Sequence, residues 1–370
     1  MRIYGWLVPT VLVASLSLAA CGSGSASSGG TTTPQQLSAA QANAQTAMKP
    51  AGFDAPANGP KSPGKGKHFL SLECAASAGG CARLAEADQA AGAVLGWTVD
   101  IVDGKGDAGV YNTAIRQAVA AKVDGIFLDA IPAKTIGDAL AQAHAAGIPV
   151  VSQVGSNSVG TGPGDVTAEV NAPNVTDGNH SADWIINNSA GKAKVWMMHD
   201  LEFNGDGERY QGGRAGLQDG CSGCVILGDT SYQASTASTD LLAQTQAVLT
   251  AHPDIQYLWT DIDGFATLEA QAIRQTGRQD SIKLVGFDCN PANLQMIKQN
   301  DIEVACVGLG LEQAGWSGVD QIIRALSHLP PGPRPSVPTK LIDATNLPSS
   351  GTYEGDADFR TAYKQQWGVG

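Results

Sequence analysis

The chain has 370 residues, 43% of them hydrophobic and 16% charged, with a formal net charge of −12. That length exceeds one ordinary core and sets an expectation of two domains or lobes. The apolar share excludes wholesale disorder, and the acidic balance excludes a phosphate-tracking nucleic-acid surface, which needs clustered Lys and Arg.

One long apolar stretch, Trp6 to Ala20, stands near the start of the chain. It is short of the ~20 residues that a membrane-spanning helix needs, and nothing later qualifies, which excludes a channel or a permease. Arg2 before it and small residues after it make a secretory signal. The tetrad Leu18-Ala19-Ala20-Cys21 resembles the bacterial lipobox. That resemblance implies that residues 1–21 are a lipoprotein signal and that Cys21 carries lipid on its thiol and amine. Residues 22–66 run through Gly/Ser/Thr, then Ala/Gln, then Pro/Gly/Lys. Such a composition cannot bury enough surface to offset chain entropy and reads as a flexible tether, with a weak helical pattern over Gln35–Met48. The expected location is the outer face of the cell membrane, lipid-anchored and extracytoplasmic.

From His68 onward, short apolar runs alternate with longer amphipathic ones. Strands are expected at 68–72, 97–102, 125–128 and 148–151. Between them fall helices at 83–95, closed by Gly96, around Ile115–Lys122, and at 136–145, stopped by Gly147. After the Gly-rich punctuation at 160–164 the pattern restarts. Strands are expected at 193–198, 224–227, 255–259, 282–287 and 303–308, and helices at 181–188, 212–217, 241–251, 265–277, 292–300 and 312–326. Alternating β and α units with buried strands mean an α/β fold with parallel sheets in two lobes of similar size. The Pro-rich stretch 329–338 is expected as an exposed connection.

Apart from Cys21, the chain has Cys74, Cys81, Cys221, Cys224, Cys289 and Cys306. An even count in an exported chain implies disulfides, and proximity favours 74–81, 221–224 and 289–306. The Cys221-Ser222-Gly223-Cys224 spacing also suits redox or half-zinc chemistry. No second such pair or nearby His pair completes a metal site, so a loop staple is the preferred reading and no metal is expected.

Three passages carry a resemblance. They are Val123-Asp124-Gly125-Ile126-Phe127-Leu128-Asp129 through Ala146-Gly147-Ile148-Pro149-Val150-Val151, then Leu249 to Ile255 with Asp261-Ile262-Asp263-Gly264-Phe265-Ala266, then Leu284-Val285-Gly286-Phe287-Asp288 with the later helix from Gln313 to Leu326. Their order and spacing resemble the type I periplasmic binding proteins, in the ribose-binding-like sugar branch. The resemblance implies two Rossmann-like lobes joined by three crossovers: 67–168 plus 310–338, and 169–309 plus 339–370. It implies a small polar ligand, sugar or sugar-like, held between the lobes at the carboxyl ends of the strands and released by hinge motion. It further implies a monomer that hands its ligand to an ABC permease, with no cofactor and no nucleic acid.

The resemblance also places site residues. Asp288 matches a position whose carboxylate accepts hydroxyl hydrogen bonds. Asp263 matches the Asp that follows a ligand-contacting Asn, here replaced by Ile262. Val154-Gly155 stands where an Asp-Arg pair grips the sugar, and Cys74 to Cys81 replaces a loop with an Asn and two stacked Phe. The groups expected near the cleft are Glu73, Asp129, Gln153, Glu202, Phe203, Arg209, Asp261, Asp263, Phe265, Asp288 and Trp316.

Other chemistry is poorly supported. Gly104-Lys105-Gly106-Asp107-Ala108-Gly109 fits a dinucleotide fingerprint but follows the second strand, so it reads as a turn with a helix N-cap. No nucleophile elbow, zinc-helix motif or phosphate-binding loop occurs. The alternatives to a transport receptor are a sensor that presents its ligand to a membrane kinase or chemoreceptor and, less favoured, a secreted hydrolase using Asp261, Asp263 or His199. No catalytic residue is expected.

Overall fold

The computed structural model describes residues 30–53, 59–162, 164–200, 202–332 and 336–369. The leader and Cys21 lie outside these residues, as do residues 333–335 of the Pro-rich stretch. The described chain opens with α1 (Pro34–Ala47). Next come β1 (His68–Glu73), α2 (Gly80–Val94), β2 (Thr98–Asp103), α3 (Ala108–Ala121), β3 (Gly125–Asp129), α4 (Gly137–Ala145), β4 (Val150–Gln153) and β5 (Ala168–Val170). These strands form one parallel sheet in the order β2-β1-β3-β4-β5.

The second lobe holds α5 (Asn174–Asn188), β6 (Lys194–Asp200), α6 (Asn204–Gly220), β7 (Val225–Tyr232), α7 (Ala234–Ala251) and β8 (Tyr257–Thr260). It continues with α8 (Asp263–Gln275), β9 (Lys283–Asp288), α9 (Pro291–Gln299) and β10 (Glu303–Leu309). Beyond α10 (Leu311–Leu326), β11 (Thr339–Asp343) completes a second sheet in the order β11-β10-β9-β8-β6-β7, and α11 (Phe359–Trp367) follows. Only β11 is antiparallel to its neighbour there.

Local rules account for the element ends. Asp107 caps α3 by accepting from the Val110 amide at 2.9 Å. This is the turn and cap expected of the Gly104–Gly109 passage. Gly96 and Gly147 both turn left-handed at φ 72° just past α2 and α4, where a side chain would be strained. In the first sheet Phe69 and Phe127 face Trp97 and α10, whereas Leu70, Leu72, Ile126 and Leu128 face α3 and α4. Both faces are covered, which is why these strands read as continuous apolar runs.

Three short hinge segments run side by side between the lobes and bond to one another, and the chain also changes lobe between α1 and β1 and between β11 and α11. Val337 N–H donates to Asn171 O at 3.0 Å and Gly310 N–H to Pro338 O at 2.9 Å. Helix α10 packs back on α2, β4 and β5 in the first lobe.

The structure corrects three expected boundaries. Residues 22–66 are not a tether throughout. Helix α1 docks on α5 and β11 with Ala40 and Ala44 buried, and Thr33 and Gln36 form a reciprocal cap at its start. Alanines let the two helices approach closely, and that fit is invisible to an amphipathicity count. Residues 59–66 lie on the first lobe, where Trp97 Nε1 donates to Gly64 O at 2.7 Å and Ser62 N–H to Trp367 O at 3.0 Å. Residues 168–170 extend the first sheet, so the change of lobe comes after Val170. The tail beyond β11 also does not stay with the second lobe: α11 returns to the first, where Trp367 stacks on Trp316 at 5.3 Å and donates to Asp320 at 3.0 Å.

Candidate functional site

The two lobes meet over a narrow cavity. From the first come Cys74 and Cys81, joined as a disulfide, with Ala78, Gly80, Ala130, Val154 and Leu311. From the second come Phe203, Gly205, Asp206, Arg209, Ile262 and Asp288. The cavity is about 50 Å³, room for only a handful of waters. The lobes are closed.

Contacts around the rim hold them so. Gly264, at the start of α8, abuts the Ala78 carbonyl so tightly that no side chain would fit. Gly106 packs on Ser235 at the start of α7. Asn204 Nδ2 donates to Gly155 O at 3.1 Å, and Ser156 Oγ donates to Glu208 at 2.8 Å. On the other flank Arg83 of α2 donates to Asp288 O (3.1 Å), Asn290 Oδ1 (3.0 Å), Tyr353 O (3.2 Å) and Glu354 (2.6 Å).

The polar heart of the cavity is Arg209. It donates to Asp206 Oδ1 at 3.1 Å, to the Asp261 carbonyl at 2.7 Å and to Asp288 Oδ1 at 3.1 Å, and its buried Nε–H has no partner among the described residues. Burial opposes the guanidinium charge, but Asp288 and Asp206 outweigh it, so Arg209 is held more firmly protonated than usual. Burial raises Asp206 well above the ordinary carboxylate range even though Arg209 pulls it down. Three residues of the wall hold left-handed backbone without being glycine: Ala130 at φ 60°, Val154 at 53° and Asp288 at 79°. Neighbouring strand ends pin the first two, since Ala130 N–H donates to Gln153 O at 2.8 Å and Val154 N–H to Val170 O at 2.7 Å. Such strain persists where the surroundings over-determine it, commonly at functional sites.

Of the residues expected near the cleft, Phe203, Arg209 and Asp288 line it. The others do not. Glu73, Asp129 and Gln153 are register partners at the ends of β1, β3 and β4, and the pleat turns them under α2. There Ser71 Oγ bridges Asp88 and Asp129 at 3.0 and 2.9 Å, and Gln153 donates to Asp88 at 2.7 Å. The next residues along, Cys74, Ala130 and Val154, face the cavity instead. Glu202 accepts from Ser235 at the start of α7. Asp261 turns its carboxylate to the Asp200 amide and the Tyr232 hydroxyl, both at 2.7 Å, and gives the site only its carbonyl. Asp263 is buried beside Glu303, and burial, then that carboxylate, raises its pKa. Phe265 packs edge-on to Tyr232 in the core, and Trp316 lies in the first-lobe core.

Asp261, Asp263 and His199 therefore do not converge; His199 stacks on Tyr210 at 3.9 Å. All three expected disulfides are formed. Asp263 also lies near Cys289 and Cys306, but both sulfurs are committed to their disulfide and offer no thiolate to a metal.

Sequence reasoning missed Asp206 and Arg83. Asp206 could have been found, because it stands three residues before Arg209 on one helix face. Arg83 carries no such signal, since its partners come from two distant segments.

Two parallel-sheet lobes, three bonded crossovers and a closed crevice around one buried arginine define a hinged solute-binding protein. A family model described as a periplasmic binding protein domain matches residues 78–329, and the chain belongs to that family, in its type I, ribose-binding-like branch. The ribose import binding protein of Salmonella typhimurium is 24% identical over 226 residues, spanning 61% of this chain and 73% of that protein. Among solved structures, a sugar ABC transporter protein from Yersinia enterocolitica superposes with a TM-score of 0.70 at 19% identity, covering 82% of this chain and 94% of that one. The Caulobacter myo-inositol binding protein gives 0.67 at 21% identity, covering 76% and 94%. These two likenesses concern the fold. No helix among the described residues is long and apolar enough to cross a membrane.

Proposed function

We propose that this chain is an extracytoplasmic solute-binding lipoprotein. It traps a small, polar, sugar-like molecule between its lobes and delivers it to an ABC importer, acting as a monomer without catalysing a reaction. The observation that carries this is the buried Arg209 held between Asp206 and Asp288 in a closed crevice, with its Nε–H unpaired among the described residues. A buried donor without a partner is costly, and a ligand oxygen would satisfy it. The carboxylates beside it would accept ligand hydroxyls. The relative's role in ribose import and the myo-inositol bound by a neighbour of the same fold support a hydroxylated ligand. The lipobox at Leu18–Cys21 supports anchoring through Cys21.

The test is calorimetry and mass spectrometry on freshly purified protein. One small hydroxylated molecule should be released on denaturation and should rebind without turnover, and Arg209→Met should abolish rebinding while circular dichroism stays native. A chain that releases nothing and binds no solute from a broad metabolite panel would overturn the proposal. Mass spectrometry of membrane-extracted protein tests the anchor, which predicts a diacylglyceryl Cys21 at the new N-terminus.

A further inference from the structure

Among the described residues, hydrogen-bonding side chains stand on one side of the cavity only. Asp206, Arg209 and Asp288 all belong to the second lobe. The opposing wall is a cystine, Cys74–Cys81, with Ala78, Ala130 and Val154. Three of its amides are also committed: those of Ala78, Ala130 and Val154 donate to Ala75 O, Gln153 O and Val170 O. The Cys74 carbonyl already accepts from the Gly106 amide and the Tyr111 hydroxyl, both at 2.8 Å. The opening amides of α2 remain, and there Gly80 lies against Asp288 Oδ2, 3.0 Å from where its Cβ would stand.

The free valences on the polar side are few. Arg209 takes one oxygen of each aspartate, and no described residue donates to the other oxygen of either. Two carboxylate oxygens and the Arg209 Nε–H suit adjacent hydroxyls, two donating and one accepting. Arg209 is already paired with Asp206 and Asp288, which leaves the described lining without a spare cation for an anionic ligand.

We infer that the cleft selects a neutral, partly deoxygenated sugar, with its hydroxylated edge on the second lobe and a methyl or methylene edge against the cystine wall of the first. This rests on the receptor function proposed above and narrows its ligand class. A fully hydroxylated sugar would bury at least one hydroxyl against Ala130, Val154 and the disulfide, where no described side chain can pair with it. An apolar wall rejects an added hydroxyl only moderately, so a preference of about ten- to a hundredfold is expected.

The experiment is isothermal titration calorimetry of the folded, processed chain with three matched pairs: D-galactose and 6-deoxy-D-galactose, L-mannose and L-rhamnose, D-ribose and 2-deoxy-D-ribose. In at least one pair the deoxy member should bind tenfold or more tighter than its parent. In that pair Ala130→Asn should narrow or reverse the preference by bringing an amide to the apolar wall. Asn tolerates the left-handed backbone at position 130, and circular dichroism would verify folding. Parents that bind as well as or better than their deoxy partners in every pair that binds overturn this ligand class and leave the receptor function standing, as does an unchanged ratio in the variant. No heat with any of the six sugars overturns the deoxy-sugar inference, and the receptor function falls with it if the metabolite panel is also blank.

Discussion

Arg83 Nη1 of the first lobe donates to the backbone carbonyl of Asp288 in the second at 3.1 Å, so the residue whose carboxylate pairs with Arg209 is gripped from both sides of the crevice. The same guanidinium reaches Asn290 and Glu354, and these bonds can exist together only when the lobes are closed. Arg83→Met should widen the resting conformation and raise the radius of gyration measured by small-angle X-ray scattering. It should also weaken ligand binding by about ten- to a hundredfold, since hydrogen bonds to charged groups contribute ~1.5–3 kcal/mol. Arg83→Lys should recover only part of this, because an ammonium cannot present the planar fork. An unchanged radius and affinity would dismiss the latch.

The disulfides should differ in what they support. Cys74–Cys81 closes a short loop that forms the cavity wall, whereas Cys289–Cys306 lies in a separate buried cluster. Replacing either pair by serine should cost about 2–3 kcal/mol in chemical denaturation. Only the first replacement should also alter ligand affinity by calorimetry. Equal effects on affinity would contradict this division.

Stability should decline with rising pH. Burial raises Asp88, Glu269 and Glu303 each to about 8, whereas the unfolded chain titrates such groups near ~4. Between those values the folded state binds more protons than the unfolded state. Its advantage is complete below about pH 4 and is lost as pH rises through about 8. Melting temperature by calorimetry should therefore fall between about pH 5 and pH 8, and Glu303→Gln should flatten that slope. A melting temperature that climbs across this range would contradict the buried protonated state.

Helix α1 should exchange its amide hydrogens slowly, at a rate close to that of α5 beneath it. Ala40→Glu places a charge in that buried contact and should release the helix to fast exchange, with a few degrees lost in melting temperature. Fast exchange over residues 36–47 in the unaltered chain would return the segment to the status of a tether.

The alternation of strands and helices was legible because buried parallel strands are unbroken apolar runs and glycine stops are local. The site was less legible, and β1, β3 and β4 show why. Choosing the last polar residue of each strand found Glu73, Asp129 and Gln153, but side chains alternate along a strand. The wall is therefore built by the small residues that follow, whose identities carry no polar signal. Asp288 was found because the wall position there is itself the acid. Helix α6 was seen only over 212–217, because its opening turns are rich in Gly and Asp. Arg209 was expected near the cleft all the same, whereas its partner Asp206 went unnoticed. The docking of α1, expected only as a weak helical pattern, escaped because the helix is held by a distant surface rather than by an apolar stripe of its own, whereas α11 was missed although Phe359, Tyr363 and Trp367 stand four apart on one buried face.

Thr32 sits in a socket made by the Cys221–Cys224 loop. It donates to Gly191 O at 2.6 Å and accepts from Gly223 N–H at 2.8 Å. Any pull on the chain ahead of Thr32 is therefore delivered to the second lobe and not to the first.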